Sequence, residues 1–127
     1  MEASPARPRV LIVDDEKPFA HLLRDYLTLK GCEVAVADGG LEGFRQASRG
    51  RFDLVTLDIN MPEVNGVEAL RSMQMVGQAA RVVVISGYLS DEVTAECRAA
   101  GAAAVLAKPV DLAHLGEVFV ELLGKKL

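Results

Sequence analysis

Five short apolar runs alternate with stretches whose apolar residues recur at helical spacing, and no other feature limits the possible folds of this chain so strongly. Arg9 to Val13, Glu33 to Ala37, Asp53 to Leu57, Arg81 to Ile85 and Ala103 to Ala107 read as strands. After the first, Phe19, Leu22, Leu23, Tyr26 and Leu27 make one helical stripe that ends at Gly31. Leu41, Phe44 and Ala47 mark the inner face of a second helix, which stops near Gly50, and Val67, Leu70 and Met73 mark a third. Ser90 is placed to cap a fourth, with Asp91 and Glu92 in its positive first turn and Gly101 at its end. Leu112, Leu115, Val118, Phe119 and Leu122 form the stripe of a fifth helix, closed by Gly124. Strands separated by helices pair in parallel through right-handed crossovers. The first, third and fourth runs are almost continuously apolar, as strands covered on both faces are. The expected fold is therefore α/β and doubly wound, a (βα)5 unit with strand order 2-1-3-4-5 and helices on both faces of the sheet.

The chain has 127 residues, half of them hydrophobic, which suits one domain with a core that needs no disulfides. Cys32 and Cys97 match no metal or redox spacing and read as two reduced, packed thiols of a cytoplasmic protein. A net charge of −4 argues against a large nucleic-acid footprint. No apolar stretch approaches the roughly 20 residues of a membrane helix. Met1 to Pro8 is interrupted by polar residues and prolines, so residues 1–8 are expected to be a flexible tail before a domain spanning 9–127. His21 and His114 are expected on helix surfaces, Met73 and Met75 in ordinary packing, and Lys125-Lys126 at a solvated helix end.

Four of the strands run directly into polar residues. Val10 to Val13 leads into Asp14-Asp15, Leu54 to Leu57 into Asp58, Val82 to Ile85 into Ser86-Gly87, and Val105 to Ala107 into Lys108-Pro109. In an open parallel sheet these are carboxyl ends, the edge where ligands bind. The order 2-1-3-4-5 reverses between the first and third strands, so two independent acidic ends converge there. Crowded carboxylates repel one another, and a divalent cation removes the conflict. Hard oxygen ligands suit Mg2+, which keeps waters and leaves room for a phosphate oxygen. Taken singly, Ser86-Gly87 reads as a plain turn, Lys108 as a solvated lysine and Asp14-Asp15 as a helix-capping pair. Their common placement on strand ends favours one shared site.

From Arg9 to Leu123 the chain resembles the receiver domain of two-component response regulators, a flavodoxin-like fold. The resemblance is carried by Asp14-Asp15-Glu16, by Asp58-Ile59-Asn60-Met61-Pro62 with Asn65-Gly66, by Ser86-Gly87 and by Lys108-Pro109. It implies that Asp58 accepts a phosphoryl group from a histidine kinase or phosphotransfer protein. It further implies that Asp15 binds Mg2+ directly, Asp14 through a water, and Asn60 through its backbone carbonyl. Lys108 would meet a phosphate oxygen, Ser86 would turn toward the new group, and the Lys108-Pro109 peptide would be cis. The resemblance makes the chain a signalling switch rather than an enzyme. Its output surface would be the fourth helix, fifth strand and fifth helix, read by a downstream protein or output domain, with a monomer or a phosphorylation-dependent dimer as the assembly. Three residues depart from or vary the family pattern. Val105 stands where an aromatic residue usually swings, and a β-branched side chain cannot make that movement. The switch is then smaller, or runs through the loop after Ser86. Asn65 replaces the commoner aspartate, and either suits a turn. Tyr88 is expected to shield Asp58 partly from water. Two rival readings exist. A phosphatase of the haloacid dehalogenase type needs a second aspartate where this chain has Asn60. A receiver-like interaction module that is never phosphorylated would account for Val105, but not for the intact acidic site.

Overall fold

A computed structural model describes residues 7–62, 65–77, 80–125 and 127. Five strands, β1 (Arg9–Val13), β2 (Glu33–Ala37), β3 (Leu54–Leu57), β4 (Arg81–Ser86) and β5 (Ala104–Ala107), alternate with five helices. The helices are α1 (Lys17–Leu29), α2 (Gly40–Arg49), α3 (Gly66–Gly77), α4 (Asp91–Ala99) and α5 (Leu112–Leu123). All strand pairs are parallel, and the sheet order is β2-β1-β3-β4-β5, as the sequence pattern predicts. Strand boundaries differ from the expected ones by at most a single residue, with Ser86 added to the end of β4. Asp53 and Ala103 fall just outside their strands, although the Asp53 N–H donates to Arg9 O at 2.8 Å and the Ala103 N–H to Val82 O at 2.8 Å. Of the expected tail, residues 1–6 lie outside the described residues, whereas Pro8 O accepts the Glu33 N–H at 2.8 Å.

The two-residue period of the strands divides the core into two layers. Val10 and Ile12 of β1, Leu54 of β3, and Val83 and Ile85 of β4 pack with Ala20, Leu23 and Leu27 of α1 and Leu115 and Phe119 of α5. Leu11, Val13, Val55, Leu57, Val82 and Val84 face the other way, against Ala47, Leu70, Met73 and Cys97. Both thiols are buried and free, and burial raises the pKa of each. Among the described residues, no helix is long and apolar enough to cross a membrane.

Three packing expectations need correction. Leu41 is exposed, and the inner face of α2 is made by Gly40, Gly43 and Ala47. A Cβ at Gly43 would lie 2.7 and 2.8 Å from the two Val13 methyls, so a helix this close to β1 has no room for a side chain there. Leu22 is exposed at the edge of the α1 stripe, while Leu23 and Leu27 carry the contact. Met75 is exposed as well, and only Met73 of that pair packs in the core. The helix stops behave as expected: Gly31 takes φ +93° just after α1, a conformation that costs a residue with a Cβ. Ser90 Oγ accepts the Val93 N–H at 3.0 Å at the start of α4. His21 and His114 are exposed.

Candidate functional site

The carboxyl ends of β1, β3, β4 and β5 form one edge, and the order reversal opens it between β1 and β3. β1 and β3 run in register, with Val13 beside Leu57, so the residues that follow them emerge together. Asp14 anchors its N–H on Ala37 O, and Asp58 anchors its N–H on Val13 O, both at 3.0 Å. Their side chains are 3% and 5% exposed, which puts two carboxylates in a poorly hydrated place. Lys108 follows β5 and reaches both, with Nζ 2.8 Å from Asp14 Oδ2 and 3.1 Å from Asp58 Oδ2. Its own N–H donates to Ser86 O at 2.9 Å, which ties the ends of β4 and β5 together. The Lys108–Pro109 peptide is cis, and Pro109 is exposed.

The remaining carboxylate oxygens have backbone partners. Asp14 Oδ1 accepts the Glu16 N–H at 2.9 Å, and Asp58 Oδ1 accepts the Asn60 N–H at 2.8 Å. Both loops thus turn back on the acid that begins them.

Glu16 belongs to the acidic motif read from the sequence, which assigns it no role. Its carboxylate receives a hydrogen bond from the Lys108 ammonium, and Asp14, Glu16 and Asp58 offer oxygens that all lie within 4.8 Å of one another. Asp15 is exposed and does not belong to this cluster. Glu16 occupies the N-cap position of α1 but makes no side-chain cap; its carboxylate is directed to Lys108 instead. Three consecutive acids follow β1, and a period-two pattern ends with the strand. Sequence spacing therefore could not say which of them turns inward.

Burial pushes the pKa of Asp14 up, against the Lys108 hydrogen bond, the Glu16 N–H and the Lys108 charge, which pull it down. Burial works against the Lys108 cation too, but the acceptors Asp14, Glu16 and Asp58 around it outweigh that and hold the ammonium above the ordinary lysine range. Three oxygens surround the ammonium, whereas Asp14 has a single cation to offset its burial.

Ser86 is wholly buried, and its Oγ finds no hydrogen-bond partner among the described residues. An unpaired buried hydroxyl costs about 1–3 kcal/mol. Tyr88 is 82% exposed two residues later. Val105 pairs with Val84 and packs, half-buried, on the α2–α3–α4 layer. Hard oxygens from Asp14, Glu16 and Asp58 are a donor set that fits Mg2+.

A family model for the response regulator receiver domain matches residues 10–119. The transcriptional regulatory protein PrrA of Mycobacterium tuberculosis is 37% identical over 115 residues, which cover 91% of this chain and 49% of PrrA. The chain spans about half the length of the curated relatives it matches first. A CheY-like receiver domain from Methanospirillum hungatei superposes with a TM-score of 0.89 at 30% identity, covering 94% of this chain and 95% of that one. A Burkholderia pseudomallei response regulator, solved with a phosphorylated aspartic acid, calcium ion and citrate, gives 0.79 at 26% identity over 85% of this chain and 64% of its own. With the reversed sheet order and the acidic strand ends, these matches settle the family: the chain belongs to the response regulator receiver domains.

Proposed function

We propose that this chain is a phosphoacceptor switch in which Asp58 takes a phosphoryl group from a histidine kinase or phosphotransfer protein. The observation that carries the reading is the Lys108 ammonium set 3.1 Å from Asp58 in a buried carboxylate cluster. The Burkholderia relative, whose structure holds a phosphorylated aspartic acid and a calcium ion, supports it. In the proposed step a carboxylate oxygen of Asp58 forms a P–O bond as the P–N bond of a phosphohistidine breaks. The imidazole leaves with the electron pair and takes a proton from solvent. Phosphoryl transfer needs alignment and charge neutralisation more than covalent help, and Lys108 supplies a fixed cation for a phosphoryl oxygen.

Mg2+ would be held by Asp14, Asp15, Asp58 and the backbone carbonyl of Asn60, and when bound it neutralises charge on the transferring oxygens. Asp15, exposed beside the cluster, would turn in to do so. The unpartnered Ser86 hydroxyl would find its acceptor in the new phosphoryl group and draw the following loop with it. Val105 is too stiff to amplify that movement by swinging, so the signal to the α4–β5–α5 face would run through the loop at Gly87 and Tyr88. That face would engage an output domain or downstream protein, as a monomer or a phosphorylation-dependent dimer, in the cytoplasm, with no direct contact to nucleic acid. The chain would act as a switch, assisting only its own phosphorylation and dephosphorylation.

The test is intact mass after incubation with acetyl phosphate, with and without Mg2+. One hydroxylamine-labile phosphoryl adduct that requires Mg2+ is expected. Folded protein that gains no adduct under either condition would refute the proposal.

A further inference from the structure

Lys108 is gripped from two sides, and only one of them belongs to the reacting carboxylates. Asp14 and Asp58 hold the ammonium from the buried side, at 2.8 and 3.1 Å. Glu16 and Phe19 hold it from the start of α1. Glu16 accepts one hydrogen bond from Nζ, and the Phe19 ring lies under it with its centroid 4.7 Å away. The ammonium donates to Glu16 and to Asp58, and Asp14 Oδ2 faces it as a third anion.

If Asp58 accepts a phosphoryl group and Asp14 serves a cation, as proposed above, both acids acquire partners that compete for the oxygens now facing Lys108. Glu16 and Phe19 do not. The Glu16 side chain is 61% exposed, and its backbone is anchored through the 2.9 Å hydrogen bond to Asp14 Oδ1. Phe19 is half-buried and packs against the α1–α5 core layer. The geometry points to Glu16 and Phe19 as positioning residues that keep the Lys108 ammonium at the mouth of the site while Asp14 and Asp58 are otherwise engaged. Glu16 supplies an anion and an acceptor, and Phe19 supplies the negative face of its ring. This inference rests on the phosphoacceptor reading and adds to it how the cation stays in place.

The probe is beryllofluoride, an unreactive stand-in for the phosphoryl group, titrated at saturating Mg2+ and followed by backbone amide shifts at the ends of β1, β3 and β4. Wild type is compared with Glu16→Ala and with Phe19→Leu, which keeps apolar bulk but loses the ring. Each substitution is expected to weaken beryllofluoride binding about two- to fivefold, the range of a partly exposed ion pair or cation–π contact. In a Lys108→Met background neither should have any effect. Tighter binding by Glu16→Ala would mean that Glu16 competes for the ammonium, and would overturn the inference. So would a parallel loss of affinity for Mg2+ alone, which would make Glu16 a metal ligand. If wild type binds no beryllofluoride, the phosphoacceptor reading fails, and the tether is then read separately in metal-free protein. There the 15N signal of the Lys108 ammonium should be protected from solvent exchange in wild type and lose that protection in Glu16→Ala. Equal protection in both proteins would refute the tether.

Discussion

Replacing Lys108 with Met removes the cation from among Asp14, Glu16 and Asp58 while keeping an apolar stem of similar length. The three carboxylates lie within 4.8 Å of one another. At an effective dielectric of about 20, two unit charges at that distance repel by about 3.5 kcal/mol. Asp14 and Asp58, 3% and 5% exposed, feel this most because water screens them least. In wild type the Lys108 hydrogen bond and charge pull the Asp14 pKa down, against burial and the neighbouring Asp58. Without the ammonium only the raising influences of burial and Asp58 remain, beside the Glu16 N–H, so the Asp14 pKa rises further above its unfolded value. A carboxyl with a raised folded pKa gives stability that is complete below the unfolded value and lost as pH rises through the folded one. Lys108→Met should therefore sit close to wild type at about pH 4 and lose about 3 kcal/mol relative to it by about pH 8. Urea unfolding at the two pH values, with the m-value checked for constancy, measures this. Mg2+ should recover most of the loss in the variant at the higher pH, because it replaces the missing positive charge. A stability difference from wild type that is the same at both pH values would show that only packing was lost, and would refute the repulsion.

Three further outcomes are expected. Gly43→Ala puts a methyl 2.7–2.8 Å from both Val13 methyls, so α2 must back away from β1; unfolding should show a loss of about 1–3 kcal/mol, and an unchanged midpoint would mean that the helix is free to shift. Ser86→Ala removes a buried hydroxyl that has no partner among the described residues, so the unphosphorylated protein should be as stable as wild type or more stable by up to about 1 kcal/mol, whereas a clear loss by denaturant titration would reveal an acceptor for Oγ. Tyr88→Ala should speed decay of the phosphorylated form if the ring, now 82% exposed, covers Asp58 in that state; equal decay rates followed by mass spectrometry would remove Tyr88 from that role.

The sheet was legible in the sequence because a two-residue period and a helical period are both regular. Val10 to Val13 divides its side chains between two core layers with no irregularity, and Gly31 and Ser90 mark helix ends through their own backbone and side-chain chemistry. The convergence of Asp14, Asp58 and Lys108 was legible for the same reason, since strand order places those strand ends together. The misses have different physical causes. Leu41 looked like a core residue on apolarity alone, yet α2 approaches β1 so closely that glycine takes the inner positions. Phe19 was readable as part of an apolar stripe but not as a partner for an ammonium 89 positions away, because which face of the ring stays open depends on tertiary packing. Glu16 follows the last periodic residue of β1, where direction is set by the turn into α1 rather than by any repeat. Asp111 caps α5 by accepting the Ala113 N–H at 3.0 Å, a role that an aspartate just before an apolar helical stripe signals in the sequence.

The central claim is that Asp58 carries the phosphoryl group, and reductive trapping addresses it most directly. Protein phosphorylated by acetyl phosphate in Mg2+ is treated with borohydride, which converts an aspartyl phosphate to homoserine, and the digested peptides are sequenced by mass spectrometry. Homoserine at position 58, absent from Asp58→Asn, is the expected result. Homoserine at position 14 or 15 with position 58 unchanged would contradict it.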